Sequence, residues 1–134
     1  MSQRADPNQT EVDGTTPLHW AAHFDNLAAA DLLIKAGAKV QVPNRYGATP
    51  LWLACVNGSA PMVERLLNAG ADPNTKMAEG DTALMTAARQ GNVAVVKALI
   101  ARGADVNARE TWKGQTALMW AAGYGQSDTV RALL

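Results

Sequence analysis

Small and apolar residues recur along the chain in short helix-length segments that repeat with a fixed period. A threonine, then a proline or alanine, then a leucine begins each segment, at Thr16, Thr49, Thr82 and Thr116. The spacings between these threonines are 33, 33 and 34 residues. A period of this length indicates one supersecondary unit that is stacked on copies of itself.

Each period predicts two short antiparallel helices followed by an extended connection. In the second period, Thr49 is expected to cap a helix with Pro50 at its first position, and that helix ends near Gly58. Ser59 then caps a second helix that runs to Gly70, and residues 71–81 form a hairpin-like connection. The same pattern predicts the other helices at about 17–24, 27–36, 83–90, 93–102, 117–124 and 127–134.

One helix pair of this size buries too little apolar surface to offset the entropy of ordering it. We therefore expect a continuous core between stacked pairs, with Trp20 and Trp120 as bulky core residues and Trp52 at least partly buried. Asp25 stands where other periods have glycine, so we expect a strained turn there. The expected core leucines and isoleucine are Leu18, Leu51, Leu84 and Leu118, with the pairs Leu32–Leu33, Leu66–Leu67, Leu99–Ile100 and Leu133–Leu134.

The repeated phrase is most complete at Thr16-Pro17-Leu18-His19-Trp20-Ala21, and it returns as Thr-Pro-Leu-Trp or Thr-Ala-Leu-Met. Over essentially its whole length, the chain resembles the ankyrin repeat family. That resemblance implies an all-α solenoid of stacked antiparallel helix pairs joined by hairpin-like loops, and the Thr-Ala-Leu-Met wording resembles bacterial members. It implies one domain over 1–134, with repeats at about 13–45, 46–78, 79–112 and a truncated 113–134, preceded by the tail of another repeat at 5–12.

Composition limits the classes of partner and the cellular compartment that we expect for this chain. The 12 basic and 12 acidic residues balance, so we expect no nucleic-acid partner, and no apolar run reaches the roughly 20 residues that span a bilayer. Cys55 is the only cysteine, so it cannot form an intrachain disulfide, and it replaces a small alanine in the repeat. We expect a buried thiol and a cytoplasmic protein.

Candidate chemistry is sparse. His19 and His23 are four residues apart on one predicted helix, a spacing that favours a metal site only if further ligands lie nearby. The resemblance implies instead that His19 connects the loops by hydrogen bonds. Phosphate-binding loops, nucleophile elbows and glycine-rich nucleotide motifs are missing from the sequence. We therefore expect a protein that is not an enzyme and that needs no cofactor.

The resemblance implies that another protein binds at the hairpin tips and at the concave face of the first helices. Trp112 is the first choice, because an extra residue lengthens the connection that displays it. Exposed aromatic residues near arginine are typical of interface hot spots. The expected contact residues are Phe24, His23, Arg45, Tyr46, Asn57, Glu79, Asp81, Arg89, Gln90, Trp112, Lys113, Gln115 and Tyr124.

Two further readings stay open. The ends of the repeat pattern fall inside a period, so the chain looks like part of a longer array, and copies could stack head to tail through their terminal helices. The alternative function is that of a targeting or recognition segment of a larger enzyme or secreted effector.

Overall fold

The computed structural model describes residues 4–134, and eight α-helices lie within this range. They follow one another as four antiparallel pairs. Helices α1, α3, α5 and α7 are called the first helices of the pairs, and α2, α4, α6 and α8 the second helices. Their bounds are α1 Pro17–His23, α2 Leu27–Lys35, α3 Pro50–Asn57, α4 Ala60–Asn68, α5 Ala83–Gln90, α6 Val93–Ala101, α7 Ala117–Gly123 and α8 Ser127–Leu133.

Side-chain caps begin α1 to α7, whereas α8 has no side-chain cap hydrogen bond. The hydroxyl of Thr49 accepts a hydrogen bond from the backbone N–H of Trp52, and Ser59 caps α4 in the same way. Gly58 ends α3 in the left-handed conformation, with a φ of 72°. Asp25 takes the same conformation at the corresponding turn, with a φ of 55°, so the predicted strain is present.

The core lies between successive pairs. First helices pack on first helices, α1 on α3, α3 on α5 and α5 on α7, and the second helices pack on one another in the same order. Leu18, Leu51 and Leu84 are almost completely buried. The pair Leu66–Leu67 is buried as predicted, whereas Leu99 is buried and Ile100 is only half-buried.

Several residues predicted in the core are exposed, and they lie in the first and last pairs. Leu32 is 69% exposed, Trp20 is 44% exposed and Leu134 is 88% exposed. Leu118 and Trp120 are half-buried. The prediction was wrong for Leu32 because it lies 33 residues before Arg65, so the residues that correspond to Leu66–Leu67 are Leu33–Ile34. Trp20 and Leu134 are exposed because no neighbouring pair covers them within residues 4–134.

Short hairpins precede the first helices. Their tips span residues 11–15, 44–48, 77–81 and 110–115, here called the first to fourth hairpins. In the second hairpin, Asn44 N–H donates to Ala48 C=O over 2.9 Å, and in the third hairpin Met77 N–H donates to Asp81 C=O over 2.8 Å. The fourth hairpin contains one extra residue, and Glu110 N–H donates to Gln115 C=O over 3.1 Å.

Candidate protein-interaction surface

Four aromatic side chains that the sequence singled out are exposed on the hairpins and at the ends of the first helices. The exposed fractions are 70% for Phe24, 67% for Tyr46, 67% for Trp112 and 57% for Tyr124. The core described above uses other positions of the repeat. These four rings therefore do not contribute to the core between helix pairs.

Trp112 and Lys113 form one unit at the tip of the fourth hairpin. The Lys113 ammonium lies 4.4 Å from the centroid of the Trp112 ring. A cation over an indole face is attracted by the ring quadrupole, so this contact restricts the ring while leaving it exposed. The extra residue of the hairpin therefore presents an ordered aromatic side chain to solvent.

A second aromatic group surrounds the end of α1. The rings of Trp20 and Phe24 stack with their centroids 5.7 Å apart, and the His23 ring meets the Phe24 ring edge-on at 4.7 Å. The indole N–H of Trp20 donates to a carboxylate oxygen of Glu11 over 2.7 Å. Because Trp20 is exposed, it adds apolar area to the surface on which Phe24 and His23 lie.

The fourth pair repeats this arrangement at the end of α7. The rings of Trp120 and Tyr124 lie 5.8 Å apart, and the Arg89 guanidinium of α5 lies 5.5 Å from the Trp120 ring. The Trp120 ring thus contacts both the Arg89 guanidinium and the exposed Tyr124 ring. An arginine next to an aromatic ring is the combination that interface hot spots favour.

Two of the expected contact residues, Asn57 and Gln90, bond to the first helix of the preceding pair. Asn57 donates its side-chain N–H to the carbonyl oxygens of Ala22 and His23, at 2.9 and 2.6 Å. Gln90 donates in the same way to the Val56 carbonyl over 2.8 Å. Each amide thus satisfies carbonyls at the end of the preceding first helix, where an α-helix leaves them unpaired.

The remaining expected residues lie on the second, third and fourth hairpins. Arg45 donates from its guanidinium to the Val12 carbonyl over 3.3 Å, so it connects two hairpins and remains exposed. Glu79 is exposed, whereas Asp81 is half-buried. Gln115 is half-buried, and its side-chain oxygen is buried without a hydrogen-bond partner within residues 4–134.

The two histidines do not lie in comparable settings. His19 is buried and its ring nitrogens contact Thr16 and the Ala48 carbonyl, whereas His23 is exposed. Among residues 4–134, no group of three His, Cys, Asp or Glu side chains is placed to hold a metal ion. The ring of His19 therefore connects two parts of the chain, as the resemblance implied.

Cys55 is fully buried in α3, as predicted. Its burial raises the pKa of the thiol to about 12, because the apolar surroundings disfavour the thiolate. Since the thiolate is the reactive form, this cysteine is a core side chain with suppressed nucleophilicity.

Two acidic side chains, Asp13 and Glu110, accept hydrogen bonds from backbone N–H groups of their own hairpins. Hydrogen bonds from the Thr15 side chain and backbone hold the pKa of Asp13 below its usual value. Glu110 is 5% exposed, and hydrogen bonds from the Gln115 and Lys113 amides lower its pKa. Sequence reasoning missed the role of Glu110, because only the folded loop brings those two amides onto its carboxylate.

Within the part of the chain that the structure describes, no helix combines the length and apolar character needed to cross a membrane. No match was found among curated proteins. The family model for ankyrin repeats, which is built for three copies, matches residues 1–77 and 63–134. Together these two matches reach from the first residue to the last, so the chain belongs to the ankyrin repeat family.

Proposed function

We propose that the chain is a non-catalytic scaffold that binds another protein through its hairpin tips and the concave face of its first helices. Ankyrin repeats are generally protein–protein interaction modules. The observation that carries the proposal is the exposure of Phe24, Tyr46, Trp112 and Tyr124 on hairpins and helix ends outside the buried core.

Preorganisation explains how such a surface binds. The stacked helix pairs hold the hairpins in place, so association orders few additional groups and loses little entropy. An interface over three or four pairs buries on the order of 1,600 Å² in total, which suffices for a specific complex. Trp112 and Tyr46 supply large rigid side chains at little entropic cost.

The test replaces Trp112 and Tyr46 by alanine in the intact parent protein and measures binding to partners captured by affinity pull-down. Each substitution is expected to weaken binding by about 2 kcal/mol, because hot-spot aromatics contribute at this level. Lys97→Ala is the control, since Lys97 is also exposed but lies on the second helix α6 and not on a hairpin or a first helix. Unchanged affinity of a folded Trp112→Ala, Tyr46→Ala double variant would exclude this surface.

The cellular location and the kind of protein that carries these repeats are also proposals. The fully buried, unpaired Cys55 suits a reducing cytoplasmic compartment, and fractionation of the host cell tests that location. The alternative function is that of a targeting or recognition segment of a larger enzyme or secreted effector. The adjacent coding sequence decides between these two functions, because a catalytic domain beside the repeats would favour the second.

Head-to-tail stacking of copies belongs to the same proposal. Trp20 occupies the position that Trp120 holds in the fourth pair, and Met119 occupies the position that Met85 holds in the third. Trp120 is half-buried and Met85 is buried, whereas Trp20 and Met119 are exposed at opposite ends of the described array. The two ends thus present residues of the kind that neighbouring helix pairs cover elsewhere in the chain.

Sedimentation tests the stacking. The 134-residue chain is expected to form larger species as its concentration rises, and Trp20→Glu or Met119→Glu is expected to block one end each. A mixture of these two variants should give a dimer that grows no further, because each retains one intact end. Tyr46→Glu is the control that leaves both ends intact, because Tyr46 is exposed on the second hairpin, which belongs to an inner pair. A single monomeric species over a wide concentration range would rule out stacking.

A further inference from the structure

A side-chain oxygen occupies the centre of the second and fourth hairpins. In the second, one oxygen of Asn44 accepts from the backbone N–H groups of Tyr46 and Ala48, both at 3.0 Å. In the fourth, one oxygen of Glu110 accepts from the N–H groups of Lys113 and Gln115, at 2.9 and 2.7 Å. Two converging amides thus face one acceptor in each hairpin.

The third hairpin has the same backbone without that oxygen. Met77 lies 33 residues after Asn44, and its thioether is only a weak acceptor. Glu79 and Asp81 correspond to Tyr46 and Ala48, and in residues 4–134 their backbone N–H groups have no hydrogen-bond partner. The donors that the second hairpin satisfies internally are therefore unsatisfied in the third.

A third donor lies beside them. One backbone hydrogen bond connects the first hairpin to the second, from Arg45 N–H to Asp13 C=O over 2.6 Å. An equivalent bond connects the third hairpin to the fourth, from Thr111 N–H to Glu79 C=O over 2.8 Å. The corresponding bond from Ala78 N–H to the second hairpin does not form in the described range. Ala78 and Glu79 are exposed and Asp81 is half-buried, so this part of the third hairpin is open to a partner.

The loop itself is held in shape. Met77 N–H donates to Asp81 C=O over 2.8 Å, and Gly80 N–H donates to Met77 C=O over 2.9 Å. Gly80 has a φ of 83° and is buried against the fourth hairpin, where an added Cβ would lie 3.2 Å from the Thr111 nitrogen. The free amides are therefore presented by a fixed backbone, which limits the entropy lost when an acceptor binds.

We propose that the third hairpin is the place where a bound protein docks the neutral carboxamide oxygen of an Asn or Gln side chain. This inference rests on the proposed function. The carboxamide of Asn44 satisfies the same two amides in the second hairpin, so an oxygen of this chemistry fits. A carboxylate is disfavoured, because the Glu79 and Asp81 side chains would repel it.

The first experiment measures amide hydrogen exchange in the free 134-residue chain by NMR. The amides of Glu79 and Asp81 are expected to exchange about fivefold or more faster than those of Tyr46 and Ala48, because one hydrogen bond is missing at each. Met77→Asn supplies the acceptor internally and should slow both amides, whereas Met77→Leu should not. Equal exchange in the two wild-type hairpins would overturn the proposal.

The second experiment selects binders from a display library of random extended peptides and measures their affinities for variants. Met77→Asn is expected to weaken selected peptides about tenfold, because the chain's own amide oxygen then occupies the site, and Met77→Leu should leave affinity unchanged. If Trp112→Ala weakens binding and Met77→Asn does not, only this inference fails. If neither variant weakens binding, or no peptide is selected, the proposed surface fails as well.

Discussion

The Nε2 atom of His19 lies 2.8 Å from the carbonyl oxygen of Ala48, which connects α1 to the second hairpin. The backbone N–H of Thr16 donates to Nδ1 of the same ring over 3.0 Å, so Nδ1 is the acceptor and Nε2 carries the proton that Ala48 accepts. One buried imidazole thus satisfies a donor in its own helix cap and an acceptor in the next repeat.

Replacing His19 by leucine is expected to lower the free energy of unfolding by about 1–3 kcal/mol, because the buried Thr16 N–H and Ala48 C=O lose their partner. Urea unfolding measures the change. His23→Leu is the matched control on the same helix, where an exposed side chain should change stability by no more than about 0.5 kcal/mol. Equal effects of the two substitutions would show that the imidazole bonds contribute nothing measurable.

Trp52 occupies the position of His19 in the next pair, and it makes no equivalent connection. Its indole nitrogen is buried and has no hydrogen-bond partner in the described part of the chain. Trp52→Phe removes this donor and keeps an aromatic ring, so the lost ring contacts and the removed desolvation cost should offset each other to within about 1 kcal/mol. A loss above about 2 kcal/mol in urea unfolding would contradict this balance.

The repeat phrase predicted the helices well because capping is local chemistry. Thr49, Pro50 and Gly58 act within a few residues of their own positions, and the structure places α3 between them. Burial is a property of the neighbouring pair, and the period alone did not supply it for Trp20, which lies on the first pair, where the sequence pattern looks like that of a covered repeat. The error for Leu32 was one of register, because Leu32 corresponds to Arg65 and not to Leu66.

The candidate surface was harder to predict than the helices. Asn57 and Gln90 differ in type, so they looked like variable contact positions, yet both side chains donate to carbonyls of the preceding first helix. An asparagine and a glutamine thus make the same kind of hydrogen bond to the preceding first helix. The reverse holds for Met77, whose type drew no attention, although its lack of an oxygen leaves backbone donors of the third hairpin without partners among residues 4–134.

Leu84→Ala tests the continuous core. Leu84 lies on α5 between two neighbouring first helices and is 1% exposed, so its truncation should lower the free energy of unfolding by about 2–5 kcal/mol. Leu32→Ala makes the same chemical change at an exposed position and should cost no more than about 0.5 kcal/mol. If urea unfolding gave similar losses for both variants, the assignment of Leu84 to the core would be wrong.

Glu110 should make the stability of the chain depend on pH in the acid range. Its folded pKa lies below the ordinary value of 4.5, because the Gln115 and Lys113 amides donate to the charged carboxylate. The folded state therefore binds the proton less tightly than the unfolded state. The stabilisation is fully present above pH 4.5 and is lost as the pH falls through the lower folded pKa.

Comparison with Glu110→Gln isolates this effect, since glutamine offers a neutral acceptor to the same amides and cannot take up the proton. Wild type should be the more stable of the two at neutral pH, and its advantage should shrink as urea unfolding is repeated down to about pH 3. Glu64→Gln, at an exposed position on α4, controls for general charge effects. A difference between wild type and Glu110→Gln that stays constant across this range would show that the carboxylate is not held by the two amides, since their preference for its charged form is what links the fourth hairpin to pH.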